Sequence, residues 1–247
     1  MLSLEAVTDG RWQSQSVVEV ANVRPAHGRL FEPTGERDLY PTLRTLAARL
    51  PGVSRTGALL IPEVAGPFGV ADLVAVIGAQ KRLESRLAAN VRPLLSEGDC
   101  ALVVACGRRG VSKWELPSLV HKPEIETMRR VSRLVSAGAL ESSSTGRVRR
   151  VEGIVPIGRV WALEAKLTSW SRALSQALRY SLWADGAGAV LGHLPSSSNK
   201  EAKGRADSMG VGLAQGSSWL LRPRVHKHPE SRRLWASEHI LAALTGL

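Results

Sequence analysis

The chain has 247 residues, of which 44% are hydrophobic, so it is long enough and apolar enough to build a globular core. Lys and Arg together number 33 against 22 Asp and Glu, for a formal net charge of +11. A positive charge of this size favours a polyanionic partner, nucleic acid first and an anionic membrane surface second. No apolar run approaches the roughly 20 residues of a membrane-spanning helix, which excludes an integral helical membrane protein.

Cysteine usage and the N-terminal sequence bear on the cellular compartment. Cys100 and Cys106 lie in an apolar stretch, CALVVAC, and are predicted to be buried thiols. Their spacing does not fit a zinc site, and no partner cluster exists. The N-terminal residues MLSLEAVTDGRW lack the basic and then apolar pattern of a signal peptide. We therefore expect a reducing, cytoplasmic setting and no membrane association.

Hydrophobic periodicity predicts a first group of elements before residue 98. A run with helical spacing begins after Asp38, the expected cap, and stops at Pro51-Gly52. Two short apolar runs rich in β-branched residues predict a pair of core strands, separated by Gly66-Pro67. The predicted elements are a strand over Val17–Val23, a helix over Leu39–Leu50, strands over Ala58–Ala65 and Val70–Ile77, and a basic helix over Gln80–Leu95.

A second group of elements follows residue 152. The predicted elements are a strand over Val160–Leu167, a helix over Ser169–Ala184, strands over Ala187–Gly192, Val211–Gln215 and Leu220–Val225, and an amphipathic helix over Ser231–Leu244. Ser196–Ser208 has no apolar periodicity and is predicted to be a flexible loop. The order helix, strand, strand and, after an insertion, strand, helix, strand predicts an α/β sandwich with a mixed central sheet.

Three charged residues interrupt strands that should be buried. Glu164 and Lys166 flank Ala165, and because side chains alternate along a strand they emerge on the same face. Asp72 interrupts the apolar run Val70–Ile77 in a similar way. Buried charges are costly unless they are paired or used. The interruptions therefore predict that the three side chains converge on one site.

Metal-assisted hydrolysis of a phosphodiester is the chemistry that needs two carboxylates and a lysine together. Mg²⁺ prefers hard oxygen ligands, and one or two carboxylates suffice beside phosphate oxygens and water. The metal polarises the scissile phosphate and lowers the pKa of a bound water. We expect Asp72 and Glu164 to be the metal ligands, and Lys166 to orient the water and offset charge in the transition state.

Other acids are candidates for secondary roles. Glu36, near the first helix, and Glu63, on the strand before Asp72, could be accessory acids, although a solvated carboxylate is the simpler interpretation of each. Glu152 is a weaker substitute for Asp72.

The sequence resembles the PD-(D/E)xK nuclease superfamily in three elements. These are an acid in one strand (GVADLV), Glu-Ala-Lys in the next core strand (ALEAK), and a helix with Gln176 and Tyr180 four residues apart on one face. The Gln-x3-Tyr element is similar to that of the RecB-like exonuclease branch. The resemblance covers residues 38–80 and 155–215. It implies a restriction-endonuclease-like mixed sheet flanked by helices, Mg²⁺ or Mn²⁺ as cofactor, DNA cleavage, and catalytic roles for Gln176 and Tyr180.

The chain departs from the family pattern in three respects. No proline precedes Asp72, the spacing from Lys166 to Gln176 is shorter than expected for the RecB-like branch, and the gap from Asp72 to Glu164 is far longer than a hairpin. The gap indicates an insertion over residues 98–151, between a first part of the nuclease core over 1–97 and a second part with a C-terminal helix over 152–247. Its pattern resembles a winged helix-turn-helix. The expected elements are a short helix beginning over Ser112–Leu116, a recognition helix over Pro123–Ala137, a turn over Ser142–Gly146 and a basic strand over Arg147–Arg150.

The arginines of the insertion are the expected DNA contacts. Arg129, Arg130 and Arg133 lie away from a buried stripe that we expect at Ile125, Met128, Val131 and Val135. The helix arginines would meet a major groove, and Arg147, Arg149 and Arg150 of the wing would meet the backbone. A helical insertion with a solvated basic face is the alternative, and winged helices also serve as protein-contact modules.

Three functions are compatible with these observations. The first is a metal-dependent DNA endonuclease or exonuclease, acting in genome defence or DNA repair. The second is a catalytically silent winged-helix DNA-binding protein on a nuclease-like scaffold. The third is an interaction protein whose basic faces dock on a partner or on RNA. Strand preference, sequence specificity and oligomeric state, with a homodimer as one alternative, stay open.

Overall fold

A seven-stranded mixed sheet lies at the centre of the protein in the computed structural model, which describes residues 17–20 and 34–247. In sheet order its strands are β1 (Val17–Glu19), β2 (Ala58–Gly66), β3 (Gly69–Ile77), β7 (Arg159–Lys166), β8 (Gly186–Leu191), β9 (Gly212–Gln215) and β10 (Ser218–Leu221). Strands β2, β3 and β7 pair antiparallel, and β7, β8 and β9 pair parallel. At the edges, β1 runs parallel to β2 and β10 antiparallel to β9. The expected α/β fold with a mixed central sheet is confirmed.

Helices cover both faces of this sheet, because its central strands are apolar on both sides. The helices of the described residues are α1 (Thr34–Arg37), α2 (Tyr40–Ala47), α3 (Val53–Thr56), α4 (Gln80–Ala88), α5 (Glu97–Cys106), α6 (Leu116–Val120), α7 (Glu124–Ser136), α8 (Trp170–Tyr180), α9 (Ser196–Met209) and α10 (Glu230–Thr245). Leu43 of α2 and Val53 of α3 pack on one face. The other face packs against Leu83 of α4, Leu174 of α8 and Leu241 of α10.

The residues between α4 and β7 form a smaller unit with its own sheet. Its elements are α5, β4 (Val111–Ser112), α6, α7, β5 (Leu140–Ser142) and β6 (Arg147–Arg150), and the antiparallel sheet order is β4-β6-β5. Val103, Leu134 and Val148 lie in its apolar core, to which α10 contributes Leu234. The smaller unit therefore has a core of its own and is anchored to the last helix of the larger one.

The predicted loop over Ser196–Ser208 is wrong, because these residues form most of helix α9. Its buried side chains are only Ala202 and Ala206, four residues apart on one face. Two alanines give too narrow an apolar stripe to stand out among serine, lysine and glutamate. The stripe is nevertheless enough to pack the helix against the sheet.

Three predictions in the inserted unit and before it are also wrong. The helix predicted over Gln80–Leu95 ends at Ala88, and Asn90 has a positive φ of 51° two residues later. The helix predicted to begin over Ser112–Leu116 begins at Leu116 instead, with Pro117 in its first turn, and Ser112 belongs to β4. In α7 the buried residues are Thr127, Val131 and Leu134, whereas Ile125 is exposed.

Smaller differences concern the ends of elements. The first predicted helix begins at Tyr40 rather than Leu39, and Asp38 does not cap it, since the cap residue Leu39 makes no side-chain bond. The strand predicted over Leu220–Val225 is Ser218–Leu221, ending before Pro223. The strand predicted over Val17–Val23 is observed as Val17–Glu19, and residues 21–23 lie outside the described residues.

Two expectations from the sequence concern the burial of the cysteines and membrane-spanning helices. Cys100 and Cys106 are buried free thiols, as predicted, and burial raises the pKa of the Cys106 thiol to about 12. Such thiols are protonated near neutral pH and therefore unreactive. Among the described residues, no helix combines the length and the apolar character needed to cross a membrane.

A buried ion pair joins α4 to α10 beside the segment that leads into the inserted unit. Arg86 of α4 donates from Nε and Nη2 to the two carboxylate oxygens of Glu238 on α10, at 2.8 and 2.7 Å. Both side chains are 1% exposed. Arg86 also donates to the Val91 carbonyl, and Glu238 accepts from the Leu94 backbone N–H. The pair thereby fixes the segment that leads from α4 into α5.

We expect Glu238→Gln to lower the free energy of unfolding by about 3–5 kcal/mol, because it leaves the Arg86 guanidinium buried without its counter-charge. Denaturant titration followed by circular dichroism measures this change. The control is Glu152→Gln in the ion pair with Arg108, whose side chains are 84% and 72% exposed. That variant should change stability by less than about 1 kcal/mol. Equal effects in the two variants would contradict a structural role for the buried pair.

Candidate active site

Asp72 lies where strands β3 and β7 stop pairing with each other. Their register runs from Ile77 opposite Arg159 to Leu73 opposite Leu163, so Asp72 and Glu164 are the next residues on the two strands. Beyond that point the Asp72 carboxylate replaces a backbone carbonyl of the neighbouring strand as hydrogen-bond acceptor, because its Oδ2 accepts the Ala165 N–H at 2.7 Å. A side chain thus satisfies a backbone donor in the middle of the sheet. This places a carboxylate beside Glu164.

Glu164 and Lys166 project from the same face of β7, as their alternation predicts. Ala165 packs into the apolar core on the opposite face. Glu164 is fully buried and Lys166 is 6% exposed. Lys166 Nζ lies 3.0 Å from Glu164 Oε1 and 3.0 Å from Glu36 Oε2. The expectation that Glu36 is simply solvated is therefore wrong, since Glu36 of α1 is a direct ion-pair partner of the lysine.

Tyr180, near the end of α8, contacts the same carboxylate from the helix layer. Its hydroxyl lies 2.6 Å from Glu164 Oε2 and 2.5 Å from the Val70 carbonyl oxygen. A hydroxyl has a single hydrogen to donate, so these two acceptors compete for it. Protonation of Glu164 would end the competition, because the carboxylic acid could then donate to the Tyr180 oxygen.

Burial and charge both favour that proton. Burial raises the pKa of Glu164, and the nearby charge of Asp72 raises it further, whereas the contacts with Tyr180 and Lys166 oppose the change. For Lys166, burial works against the charged form, but the carboxylates of Glu164 and Glu36 outweigh it and raise the lysine pKa. The lysine is therefore a cation near neutral pH, and Glu164 ionises less readily than an exposed glutamate.

The other residues considered for the site from the sequence, Gln176, Glu152 and Glu63, lie on three different parts of the fold. Gln176 lies one helical turn before Tyr180 on α8, and its amide oxygen is buried with no hydrogen-bond partner in the described part of the chain. Glu152 forms an exposed ion pair with Arg108 in the inserted unit, so it does not stand in for Asp72. Glu63 is on β2 with a positive φ of 50°, a conformation unusual for glutamate.

The donor set fits a hard divalent cation only with ligands from outside the side chains. Asp72 and Glu164 supply carboxylate oxygens, which Mg²⁺ and Mn²⁺ prefer, and one or two such groups suffice when phosphate and water complete the shell. Within residues 17–20 and 34–247, no group of three or more His, Cys, Asp or Glu side chains is arranged to hold a metal. The two carboxylates alone are therefore an incomplete ligand set for such a cation.

The arginines of α7 are largely engaged inside the inserted unit. Arg130 Nη1 and Arg133 Nη2 both approach Asp99 Oδ1 of α5, at 3.1 and 2.5 Å. Arg130 also pairs with Glu126 one turn earlier. Arg129 is exposed and has no ion pair among the described residues. Asp99 was not identified from the sequence, although Ser96-x-x-Asp99 is a helix-capping pattern and Ser96 does cap α5.

The predicted wing arginines have three different environments. Arg147 donates to the Gly110 carbonyl at 2.6 Å, and Arg149 pairs with the exposed Glu141 across the hairpin. Arg150 is nearly buried and pairs with Glu230 of α10 at 2.6 Å. Arg147 and Arg149 line a cleft of about 390 Å³ together with Arg109, Glu141 and the turn residues, so three arginines there face one carboxylate. The cleft is a concentration of positive charge, whereas Arg150 is a contact between the two units.

Comparisons of this chain with protein-family models, with curated proteins and with solved structures found no match.

Glu164→Gln should stabilise the protein more at pH about 8 than at pH about 5. The folded-state pKa of Glu164 is raised, so between its unfolded and folded values the folded protein holds a proton that the unfolded chain has lost. Stability of the wild type therefore falls as pH rises through that window, and glutamine removes the effect. Denaturant titrations of both proteins at the two pH values give the difference. A difference independent of pH, as expected for the exposed control Glu152→Gln, would contradict the assignment.

Proposed function

We propose that this protein is a metal-dependent DNA nuclease that hydrolyses phosphodiester bonds. The observation that carries the proposal is the convergence of Asp72, Glu164 and Lys166 at the point where β3 and β7 part. Burying two carboxylates and a lysine in a sheet costs free energy, because the charges lose their hydration. Such an arrangement is typical of an active site rather than of a core that serves stability alone.

The roles of the residues follow from their chemistry. A bound Mg²⁺ or Mn²⁺ would supply Lewis acidity and lower the pKa of a coordinated water. Asp72 and Glu164 would hold that cation, and its charge would favour ionised Glu164 over the protonated form. Lys166 holds its ammonium group beside Glu164 and would offset negative charge that develops on the phosphate. Tyr180 orients the Glu164 carboxylate, and Glu36 fixes the lysine from the opposite side.

The order of the elements supports a restriction-endonuclease-like core. Helix α2, the antiparallel strands β2, β3 and β7, helix α8 and the parallel strand β8 follow each other as the resemblance implies. The inserted unit, in turn, has the order helix, strand, helix, helix, strand, strand with a small antiparallel sheet. This order is compatible with a winged helix whose second and third helices are α6 and α7.

A catalytically silent DNA-binding protein is the second candidate function. It is favoured by the cleft of about 390 Å³ at the wing, where Arg109, Arg147 and Arg149 concentrate positive charge away from the carboxylates. Cleavage assays separate the two candidates. Plasmid and single-stranded DNA are incubated with Mg²⁺, Mn²⁺ or EDTA. Metal-dependent cleavage that Asp72→Asn abolishes supports the nuclease, whereas DNA binding without cleavage under any of these conditions supports the silent scaffold.

Lys166→Gln should lower the cleavage rate by about 10²–10³-fold and leave DNA affinity nearly unchanged, because the ammonium group acts on charge that develops only in the transition state. Single-turnover cleavage and equilibrium binding, measured at the same salt concentration, test this prediction. Lys203→Gln on α9 is the control for loss of one positive charge. If Lys166→Gln cleaves DNA as fast as the wild type does, Lys166 is only a structural partner of Glu164 and Glu36.

Arg129→Ala should weaken DNA binding and flatten the dependence of log affinity on log salt by about one unit, because one phosphate contact is lost. Arg130→Ala should change the salt slope less, since Asp99 and Glu126 already balance its charge. Fluorescence anisotropy over a series of salt concentrations measures both slopes, with the exposed Arg55→Ala as the control. Equal slopes for Arg129→Ala and Arg55→Ala would exclude α7 as the DNA-contacting helix.

A further inference from the structure

Three aromatic residues form a cluster where the β2–β3 hairpin meets α10. The Phe68 and Trp235 ring centroids are 5.7 Å apart and edge to face, and those of Trp235 and His239 are 5.6 Å apart. Phe68 is 38% exposed, and the other two rings are partly buried. We call Phe68, Trp235 and His239 the aromatic cluster. Its most exposed ring is at the tip of the hairpin, where no packing requirement of the core explains a phenyl group.

The hairpin tip is held rigidly, so Phe68 has a defined position. Gly66 pairs with Gly69, which leaves Pro67 and Phe68 as a two-residue loop. A Cβ on Gly66 would lie 2.6 Å from the Trp183 ring, and Gly69 has a φ of 136°, so both positions require glycine. Pro67 restricts the loop further. The exposed ring is therefore presented by a fixed turn rather than by a long loop.

The strand that follows Phe68 leads into the candidate active site. The Cβ position of Gly69 is 3.6 Å from Tyr180 Cε1, and the Tyr180 hydroxyl is 2.6 Å from Glu164 Oε2. Phe68 precedes Asp72 by four residues of strand, about 13 Å at ~3.3 Å per residue. About four stacked nucleotides at 3.4 Å each span the same length, and fewer nucleotides span it when the DNA strand is extended.

The cluster also contacts the base of the inserted unit. Trp235 Nε1 donates to the Leu95 carbonyl at 2.8 Å, just before α5. Arg232 lies 5.8 Å from the Trp235 ring and pairs with Glu97 in the first turn of α5. Burial lowers the pKa of His239, so the third ring is neutral near pH 7. The rings thus form an uncharged surface between the inserted unit and the carboxylates.

We propose that the aromatic cluster is a base-stacking subsite for single-stranded DNA, with Phe68 receiving the face of an unpaired base on the approach to Glu164. The inference rests on the proposed nuclease function and names its substrate class. A base in a duplex already has both faces stacked on its neighbours, so only an unpaired base offers a face to Phe68. The cluster would therefore favour single strands, frayed ends or gaps over an intact duplex.

The test measures binding in EDTA, so that cleavage does not interfere. Labelled oligothymidine and a blunt duplex of the same length are titrated with wild type, Phe68→Leu and Phe68→Trp. Leucine keeps an apolar contact with Trp235 but loses the aromatic face, and tryptophan keeps the face. Leu178→Ala on α8 is the control, because the exposed fraction of Leu178, 37%, is close to the 38% of Phe68.

Phe68→Leu should weaken single-strand binding by about 5- to 150-fold, since stacking of one base on an aromatic ring is worth about 1–3 kcal/mol. Duplex affinity should stay within about twofold, and Phe68→Trp should bind like the wild type. An abasic residue moved along the oligonucleotide should weaken wild-type binding at one position. The same abasic residue should have no effect at that position in Phe68→Leu, because the stacking partner is already missing.

Three outcomes would overturn the inference. They are wild-type protein that does not bind single strands, a Phe68→Leu variant that loses single-strand and duplex affinity equally, and an abasic scan without a sensitive position. Failure of the nuclease proposal looks different. In that case neither strand form is cleaved with Mg²⁺ or Mn²⁺, while the dependence of single-strand binding on Phe68 persists.

Discussion

The hydrogen bond from the Ala165 N–H to the Asp72 carboxylate, at 2.7 Å, is where the apolar sheet becomes a polar site. A sheet covered by helices on both faces gives its backbone donors no water, so each must find a partner inside the protein. At Ala165 that partner is a side chain, which brings a carboxylate beside the buried Glu164. The charge of Asp72 opposes ionisation of Glu164, whereas Lys166 and Tyr180 contact the Glu164 carboxylate and Glu36 pairs with the lysine.

The inserted unit uses much of its own charge for internal structure. Asp99 alone engages Arg130 and Arg133, Glu126 engages Arg130 again, and Glu230 engages Arg150. A count of arginines therefore overstates the positive field that an approaching polyanion meets. Arg129, which has no ion pair within residues 17–20 and 34–247, and the cleft lined by Arg109, Arg147 and Arg149 are accessible from outside the inserted unit. The net charge of +11 therefore does not show which surface of the protein carries unbalanced positive charge.

The site was more predictable than the surfaces around it, for physical reasons. Asp72, Glu164 and Lys166 stand out because a charge within a buried strand is rare, and alternation along β7 then fixes the face. Glu36 was only one of two possible accessory acids, and the simpler interpretation as a solvated carboxylate was wrong, since a glutamate in a polar segment carries no pattern before the fold brings it to Lys166. The stripe predicted for α7 is confirmed at Val131 and wrong at Ile125, which lies in the first turn, where an apolar side chain can project past the core. Helix α9 was missed because two alanines suffice to bury it.

The position of the inserted unit follows from the length of α4. The insertion leaves the sheet at the Ile77 end of β3, whereas Asp72 and the hairpin tip are at the other end. Helix α4 has nine residues, about 13 Å at 1.5 Å per residue, and this nearly equals the strand length between Leu73 and Ile77. The helix can therefore carry the chain back along the sheet, and the bond from Trp235 to the Leu95 carbonyl shows where it arrives, next to Phe68. Although the insertion leaves the sheet at the Ile77 end of β3, α4 thus brings it back to the end of the sheet that carries the carboxylates. The buried ion pair of Arg86 and Glu238 holds it there.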